Sequence, residues 1–209
     1  MGIEIGTGVS GRVGNVIYYV RKGKKCMRIR PAYVFNPKTV GQTNHRNKLK
    51  LASRFIKALD KFIRIGYQSA TVDNAGNEAR QHLMKECFVI TDQGPVLDFS
   101  SVIIARGEIP VPEECTITVD GNMGHITWKP GTGDRWTDVK VMVAMFIDEG
   151  KEGNSQMLSN VAYQKDGACT VPIPIHTEPL HIWMFFSNPD YCPNEDRRKV
   201  SGSVYLGVL

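Results

Sequence analysis

The chain has 209 residues, enough for one large domain or two small ones. Hydrophobic residues make up 42% and charged residues 22%, a composition that excludes collagen-like and low-complexity chains. Residues 1–67 hold 15 Lys/Arg and two acidic residues, a net charge of +13, whereas residues 68–209 hold 11 Lys/Arg and 19 Asp/Glu, a net charge of −8. A basic arm joined to an acidic body predicts a polyanionic partner for the arm, or head-to-tail pairing of unlike surfaces.

Residues 1–35 predict a glycine-rich arm followed by a β-hairpin. Segments 13–20 and 25–30 have the residue types of strands, and 21–24 is a turn in which Gly23 can adopt a positive φ. Because side chains alternate along a strand, the second segment has two distinct faces. One face carries Cys26, Arg28 and Arg30, and the other carries Met27 and Ile29.

A turn at 36–39 leads into a long amphipathic helix, predicted over residues 40–65. Its apolar stripe consists of Leu51, Ala52, Phe55, Ile56, Leu59, Phe62 and Ile63. The opposite side is basic and carries Arg46, Lys50, Arg54, Lys57, Lys61 and Arg64. A second helix is predicted over 74–87, with Asp73 or Asn74 as its N-cap.

From about residue 96 the hydrophobic pattern changes to a period of two residues. The candidate strands are 96–105, 115–120, 124–129, 137–147, 157–163, 168–174, 180–187 and 200–208. Short strands at this spacing predict an antiparallel β-sandwich, and Trp128 on an early strand resembles an immunoglobulin or fibronectin type III module. The predicted fold class is therefore α+β, with a basic arm, hairpin and helices over 1–95 and the sandwich over 96–209.

The targeting and redox signals are weak. The N-terminus lacks the apolar region of a signal peptide, and the longest apolar run, 141–147, is too short to span a bilayer. Gly2 is followed by Gly6 where a myristoylation motif requires Ser or Thr. Five widely spaced cysteines without a C-x-x-C pair disfavour structural zinc and indicate reduced thiols. We expect a protein without a membrane segment and with a cytosolic, cytoplasmic site of synthesis.

Catalytic motifs are poorly supported. Residues 6–11 match G-x-G-x-x-G, but a dinucleotide site needs a preceding strand and a following helix, and neither is predicted there. No G-x-S-x-G elbow exists, and His176 and His181 have no carboxylate partner that the sequence identifies. We therefore expect no enzyme activity and no cofactor. An enzyme built on a sandwich cleft stays open as a third possibility, which a pocket with convergent His and carboxylate groups would reveal.

The basic residues of the hairpin and of the long helix form the candidate site. Solvated helix faces usually interleave Glu with Lys, yet Asp60 is the only acidic residue between 36 and 67. The uncompensated charge favours an anionic partner, either nucleic acid or an acidic protein surface. The candidate residues are Arg12, Lys22, Lys24, Lys25, Arg28, Arg30, Arg46, Lys50, Arg54, Lys57, Lys61 and Arg64.

The two kinds of partner predict different details. Binding to single strands requires aromatic residues among the basic ones, for which Tyr18, Tyr19 and Tyr33 are candidates. A glycine arm with a hairpin is also a common means of adding strands to the sheet of a neighbouring protein. The sequence leaves this choice open.

An ordered series of motifs gives the N-terminal quarter a resemblance to a known family. The motifs are Gly11-x-Val13-Gly14-Asn15-Val16, Tyr18 or Tyr19, Lys22-Gly23-Lys24, Arg28-x-Arg30-Pro31 and Asn36-Pro37-Lys38-Thr39-x-x-Gln42-x-x-x-Arg46. They are similar to an uncharacterised family, a domain of unknown function, of about 200-residue proteins from gut and environmental bacteria and their phages. The likeness continues more weakly to Val204-Tyr205-Leu206-Gly207, and the 36–46 motif also resembles openings of predicted phage structural proteins.

This resemblance implies a role in a virion or in its assembly, and it supplies no catalytic residue. We therefore predict a non-enzymatic structural protein of a phage virion or phage-like particle, oligomeric, with protein partners that dock on the basic arm. The alternative is a non-specific nucleic-acid-binding protein that uses the basic hairpin and helix.

Overall fold

The structure, a computed structural model, describes residues 3–4, 9–67, 75–130, 139–148, 154–188 and 200–209. The chain divides into an N-terminal unit, Met1–Thr39, and a main unit, Val40–Leu209. This boundary falls before the first helix, and the helices share a core with one sheet of the sandwich.

The N-terminal unit is an antiparallel meander whose strands follow one another in chain order. The strands are β1 (Ile3–Glu4), β2 (Val9–Val13), β3 (Val16–Arg21) and β4 (Lys24–Ile29). The predicted hairpin is confirmed: Lys22 and Gly23 have φ of 49° and 73°, the pair of positive values that a type I′ turn requires. Within the predicted glycine-rich arm, Val9–Val13 forms strand β2 and pairs with β3, while glycines 6 and 8 lie outside the described residues.

Three helices open the main unit: α1 (Val40–Ala58), α2 (Asp60–Gly66) and α3 (Ala75–Glu86). The single helix predicted over 40–65 breaks at Leu59, whose ψ of 22° is not helical. At this break the Ala58 carbonyl accepts a hydrogen bond of 2.5 Å from the Ser155 hydroxyl. The second predicted helix is confirmed, and its expected cap at 73 or 74 lies outside the described residues.

Among the described residues, seven strands form the sandwich. They are β7 (Glu113–Asp120), β8 (Met123–Lys129), β9 (Lys140–Ile147), β10 (Asn154–Tyr163), β11 (Ala168–Pro172), β12 (Leu180–Ser187) and β13 (Val204–Val208). One sheet has the order β11-β8-β7 and the other the order β10-β9-β12-β13, with every pair antiparallel. The chain therefore switches sheets between β8 and β9, as in immunoglobulin-like sandwiches, and the predicted α+β class is confirmed.

The first strand predicted in this half, 96–105, is wrong. A short hairpin of β5 (Phe88–Thr91) and β6 (Gly94–Leu97) ends there, and Phe99–Ser101 forms a 3₁₀ turn. The Asp98 carboxylate accepts hydrogen bonds from the Ser100 amide at 3.1 Å and the Ser101 hydroxyl at 2.5 Å. These local bonds satisfy the backbone in place of a strand ladder.

The segment 102–105 is instead a strap clamped by side chains from distant parts of the main unit. The Tyr67 hydroxyl donates to the Ile103 carbonyl at 2.8 Å, and the Trp183 indole donates to the Val102 carbonyl at 3.1 Å. The Ser203 hydroxyl accepts the Ile104 N–H at 2.9 Å. The strap lies against helix α2 so closely that a Cβ at Gly66 would come within 2.3 Å of the Ile104 carbonyl oxygen.

Strands β9 and β12 are buried on both faces, which explains the apolar run at 141–147. The alternate residues Met142, Ala144, Phe146, Trp183 and Phe185 pack with the helices in one core. The intervening residues Val141, Val143, Met145, Ile182, Met184 and Phe186 pack with the smaller sheet in a second core. The predicted apolar stripe of the long helix is confirmed, since all of it but the half-buried Leu51 is buried in the first core.

Among the described helices none is both long and apolar enough to cross a membrane.

Candidate functional site

The strand register gives the N-terminal meander two chemically different faces. Val16 is paired with Ile29 and Tyr18 with Met27, and residues paired directly across antiparallel strands project to the same side. We call this side the apolar face; it carries Val13, Val16, Tyr18, Val20, Met27 and Ile29. The alternation predicted for Met27 and Ile29 is thereby confirmed.

The opposite side, the basic face, carries cations and one aromatic ring. Arg12 and Arg28 both lie opposite Ile17, and Arg21 is paired with Lys24. Tyr19 lies between these two rows, paired with Cys26. Sequence reasoning missed Arg21, although it shares the parity of Tyr19 along the strand and so belongs to the same face.

The other predicted hairpin residues lie elsewhere. Lys25 is paired with Val20 on the apolar face, and Lys22 lies in the turn. Arg30 follows β4, where its backbone N–H donates to the Asn15 carbonyl at 2.7 Å. Of the six hairpin residues in the candidate site, the structure therefore brings three together on the basic face, namely Arg12, Lys24 and Arg28.

The apolar face is exposed. Met27 and Ile29 have 72% and 77% of their surface accessible, and Val20 is exposed as well. Contiguous exposed apolar side chains rimmed by charge are typical of protein-binding surfaces. The N-terminal unit also holds eight Lys/Arg against Glu4, a net charge of +7, while the main unit has 18 Lys/Arg and 20 Asp/Glu, a net charge of −2. The charge asymmetry is thus concentrated in 39 residues.

The helical half of the candidate site is partly neutralised within the chain. Arg54 forms an ion pair with Asp148 at the end of β9, and Arg64 pairs with Asp60 at 2.8 Å. The expectation that the charge of this helix has no compensation is therefore wrong at these two positions. The exposed members of the predicted helical stripe are Arg46, Lys50, Lys57, Lys61 and Arg64.

A buried Cys–His pair at the end of α3 has the residue types of a catalytic dyad. The Cys87 sulfur lies 3.4 Å from His82 Nε2, and Glu86 Oε2 lies 3.1 Å from His82 Nδ1, a distance without hydrogen-bond geometry. Burial raises the pKa of the Cys87 thiol to about 12, and the neighbouring carboxylates of Glu86 and Asp98 add to this shift. The thiol is fully buried, and its raised pKa favours the protonated form, which is a poor nucleophile near pH 7. In the described part of the chain no three His, Cys, Asp or Glu side chains are grouped to hold a metal ion.

An aromatic cleft lies between α1, β6, the 3₁₀ turn and β9. Phe55, Phe99 and Phe146 form its aromatic wall, and the Arg54–Asp148 ion pair lies at its polar end. His181 stacks on Phe99 with 3.8 Å between ring centroids, and its Nδ1 lies 2.8 Å from the Tyr205 hydroxyl. Burial lowers the pKa of His181 while Asp148 acts in the opposite direction, so the imidazole is neutral near pH 7.

The comparison with protein families adds one result. A model described as "Family of unknown function (DUF6266)" matches residues 8–207. The chain belongs to the DUF6266 family. Because the match runs from the meander to the last strand of the sandwich, the DUF6266 family includes both units. The expected membership of an uncharacterised family of about 200 residues is thereby confirmed. No curated protein matches the chain.

Proposed function

We propose that this protein is a non-enzymatic structural or assembly protein that attaches to a neighbouring protein subunit through its N-terminal unit. The observation that carries the proposal is the apolar face, with the strongly exposed Met27 and Ile29 on its outer strand, opposite a strongly basic face. Packing of the apolar face of a small sheet against another element stabilises the sheet, because it removes apolar surface from water. A partner that covers this face stabilises the meander and the contact together.

The outer strand of the meander also fits attachment to protein. β4 is the last strand of its sheet, and its sequence includes Lys24, Lys25 and Arg28. Lysines on an edge strand suppress pairing with identical copies of the same edge, because like charges would be brought together. A strand with acidic side chains would instead be attracted to the cations of β4, so the preferred partner presents an acidic surface.

The finer proposal is that the assembly is a phage virion or phage-like particle. It is supported by the resemblance of the 36–46 motif to predicted phage structural proteins. In this proposal the sandwich projects from or braces the particle while the N-terminal unit attaches, and the protein is found in the virion or, before assembly, in the cytoplasm.

Gradient sedimentation of extracts from cells that make the particle tests the proposal. Wild-type protein is expected in a fraction of high mass. The variant Met27→Ser/Ile29→Ser should return to the position of the free chain, because it removes apolar side chains from the contact. The matched control, Val89→Ser/Ile90→Ser, changes two exposed apolar residues of the β5–β6 hairpin and should sediment like the wild type. Free wild-type protein, or an assembled apolar-face variant, would overturn the proposal.

The second candidate function is non-specific nucleic-acid binding, favoured by the grouping of Arg12, Arg21, Lys24 and Arg28 around Tyr19. Cations contact phosphates, and an aromatic ring among them can stack on an unpaired base. Four neutralised phosphates on duplex DNA give a slope of log K against log[salt] of about −3.6.

Fluorescence anisotropy of random single-stranded and duplex DNA at several salt concentrations decides this alternative. If nucleic acid is the partner, Arg12→Gln/Arg28→Gln reduces the slope by about 2 on duplex DNA. Lys85→Gln/Lys165→Gln, two exposed cations outside the candidate site, is the control and should leave the slope unchanged. Absence of binding at low salt would eliminate this candidate and leave protein attachment.

A further inference from the structure

The aromatic cleft of the main unit is not used by the proposed function. Its volume is about 190 Å³, and the apolar part of its wall includes Leu51, Phe55, Leu97, Phe99 and Phe146. A cavity of about 150 Å³ holds one benzene molecule. The cleft therefore accommodates one aromatic side chain, and it is too small for most cofactors.

The polar end of the cleft favours an occupant with a neutral hydrogen-bond acceptor. Arg54 already pairs with Asp148, so an additional carboxylate would be repelled by Asp148. The Nε–H of Arg54 is shielded from solvent and has no hydrogen-bond acceptor in the described part of the chain. Because a buried donor without an acceptor is costly, a carbonyl oxygen brought in by the occupant is a favourable partner. An aromatic side chain next to a backbone carbonyl is the chemistry of a peptide segment.

The chain itself carries a segment with this chemistry. Residues 32–39 contain no strand or helix, and Tyr33, Val34 and Phe35 are between 71% and 78% exposed. In an extended segment Tyr33 and Phe35 project to one side and Val34 to the other. Two large exposed rings on one side, within the proposed attachment unit, form an anchor of the kind that fills pockets in protein interfaces.

We propose that the aromatic cleft binds the Tyr33–Phe35 segment of a second copy of this chain, with Phe35 in the cleft. This inference rests on the proposed function, since it names the neighbouring subunit and the surface to which the N-terminal unit attaches. Phe35 fits the apolar wall because it brings no hydroxyl group that needs a partner. The backbone carbonyls beside it supply acceptors for Arg54.

The contact is head-to-tail, because the segment and the cleft are different surfaces of one chain. Such contacts produce rings when the rotation closes and open chains when it does not. One buried side chain gives weak association, so the assembly depends on concentration. Each copy in the interior of the assembly both donates a segment and accepts one.

Sedimentation velocity of the purified full-length protein up to several hundred micromolar tests this proposal. The wild type should form a series of oligomers that grows with concentration. Tyr33→Ser/Phe35→Ser should weaken association at least tenfold, and Val34→Ser, equally exposed on the other side of the segment, should not. Leu51→Trp fills the cleft and should weaken association to the same extent, whereas Leu49→Trp, at an exposed position on the same helix, should behave like the wild type.

A mixing experiment distinguishes a head-to-tail contact from loss of folding. Tyr33→Ser/Phe35→Ser has an intact cleft and Leu51→Trp has an intact segment, so each alone should be monomeric and the 1:1 mixture should form a dimer that does not grow. A folded but still monomeric mixture would overturn the proposal, and so would a wild type that is monomeric at every concentration. If that monomeric wild type still sediments with high mass in the cell extract, only the cleft inference fails and attachment to a different protein stands.

Discussion

The two units of this chain bury their apolar side chains to very different degrees. In the main unit, β9 and β12 are buried on both faces and separate two cores. In the N-terminal unit, no described side chain from 10 to 39 is buried, although Val13, Met27 and Ile29 are apolar. The main unit therefore buries its apolar side chains in its own cores. The N-terminal unit has an apolar face that only a partner could bury fully.

The difference can be traced to the residue pattern of the strands. In β4, Arg28 alternates with Met27 and Ile29, as expected for a sheet with one face against a partner. In β3 the one charged residue, Arg21, lies on the face opposite Val16 and Val20. β9 is an unbroken apolar run, because helices cover one of its faces and a second sheet the other. Matched substitutions in the two units therefore test this difference in burial most directly.

The largest expected effect comes from Phe55, whose ring packs edge-on against those of Phe146 and Trp183. The distances between ring centroids are 5.1 and 5.9 Å. Phe55→Ala should reduce the free energy of unfolding by about 3–5 kcal/mol, since it leaves a cavity between α1 and the sheet. Ile29→Ala on the exposed meander should change it by less than about 0.5 kcal/mol. Urea unfolding followed by circular dichroism measures both. Equal losses of unfolding free energy would mean that the meander is packed as tightly as the main unit.

A second contrast concerns two glycines of the helical region. At Gly66 a Cβ would collide with the backbone of the strap, so Gly66→Ala should destabilise the protein by about 1–3 kcal/mol. At Gly41, inside α1, a Cβ meets nothing within 4 Å, so Gly41→Ala should stabilise it by about 0.5–1 kcal/mol. Thermal denaturation of the two variants should give melting-temperature shifts of opposite sign. An unchanged melting temperature for Gly66→Ala would show that the strap can move away from the added methyl group at little cost.

The buried thiol predicts a loss of stability at high pH. Because burial raises the pKa of Cys87 to about 12 from an ordinary value of 9.0, the folded chain keeps a proton that the unfolded chain releases. Stability is fully present below about pH 9 and falls by at most about 1.4 kcal/mol per pH unit from there to about pH 12. Cys87→Ala should flatten this part of the curve of urea midpoint against pH. A curve identical to that of the wild type would assign the loss to other groups, such as Tyr67, whose pKa burial also raises.

The smallest expected effect is that of the ion pairs. A double-mutant cycle with Arg54→Met and Asp148→Asn should give a coupling energy of up to about 1 kcal/mol, because both side chains retain partial exposure. The more exposed pair of Arg64 and Asp60 should give about 0.3–0.5 kcal/mol. Raising the salt concentration should reduce both values. A coupling energy of several kcal/mol between Arg54 and Asp148 would show that water screens this pair less than its partial exposure suggests.

Most of the fold could be predicted from local pattern. The period-two strands, the turn at Gly23 and the apolar stripe of the helix all depend on neighbours in sequence, and the structure confirms them. The break at Leu59 could not be predicted, since it coincides with a hydrogen bond from Ser155 across the fold. The failure at 96–105 has the same cause, because the contacts that hold the strap come from Tyr67, Trp183 and Ser203.

The candidate site could be predicted in part. Alternation along β4 predicts that Arg28 and Met27 lie on opposite faces, but the sum of charges that points to Lys25 carries no information about the face on which it lies. Likewise, the helical pattern predicts that Arg54 belongs to the basic stripe, but it does not show that Asp148 lies next to it. The cleft had no sequence signal at all, because its walls come from four separate elements.

The Ser203 contact to the strap has a consequence for the order of folding. Its hydroxyl joins positions 99 residues apart, so this contact of the main unit forms only after almost the whole chain has been synthesised. The meander pairs only adjacent segments and can form in microseconds, as hairpins do. During translation the nascent chain therefore presents a finished apolar sheet next to an unfinished body. The cationic side chains on its outer strand then act against aggregation at the moment when exposure is greatest.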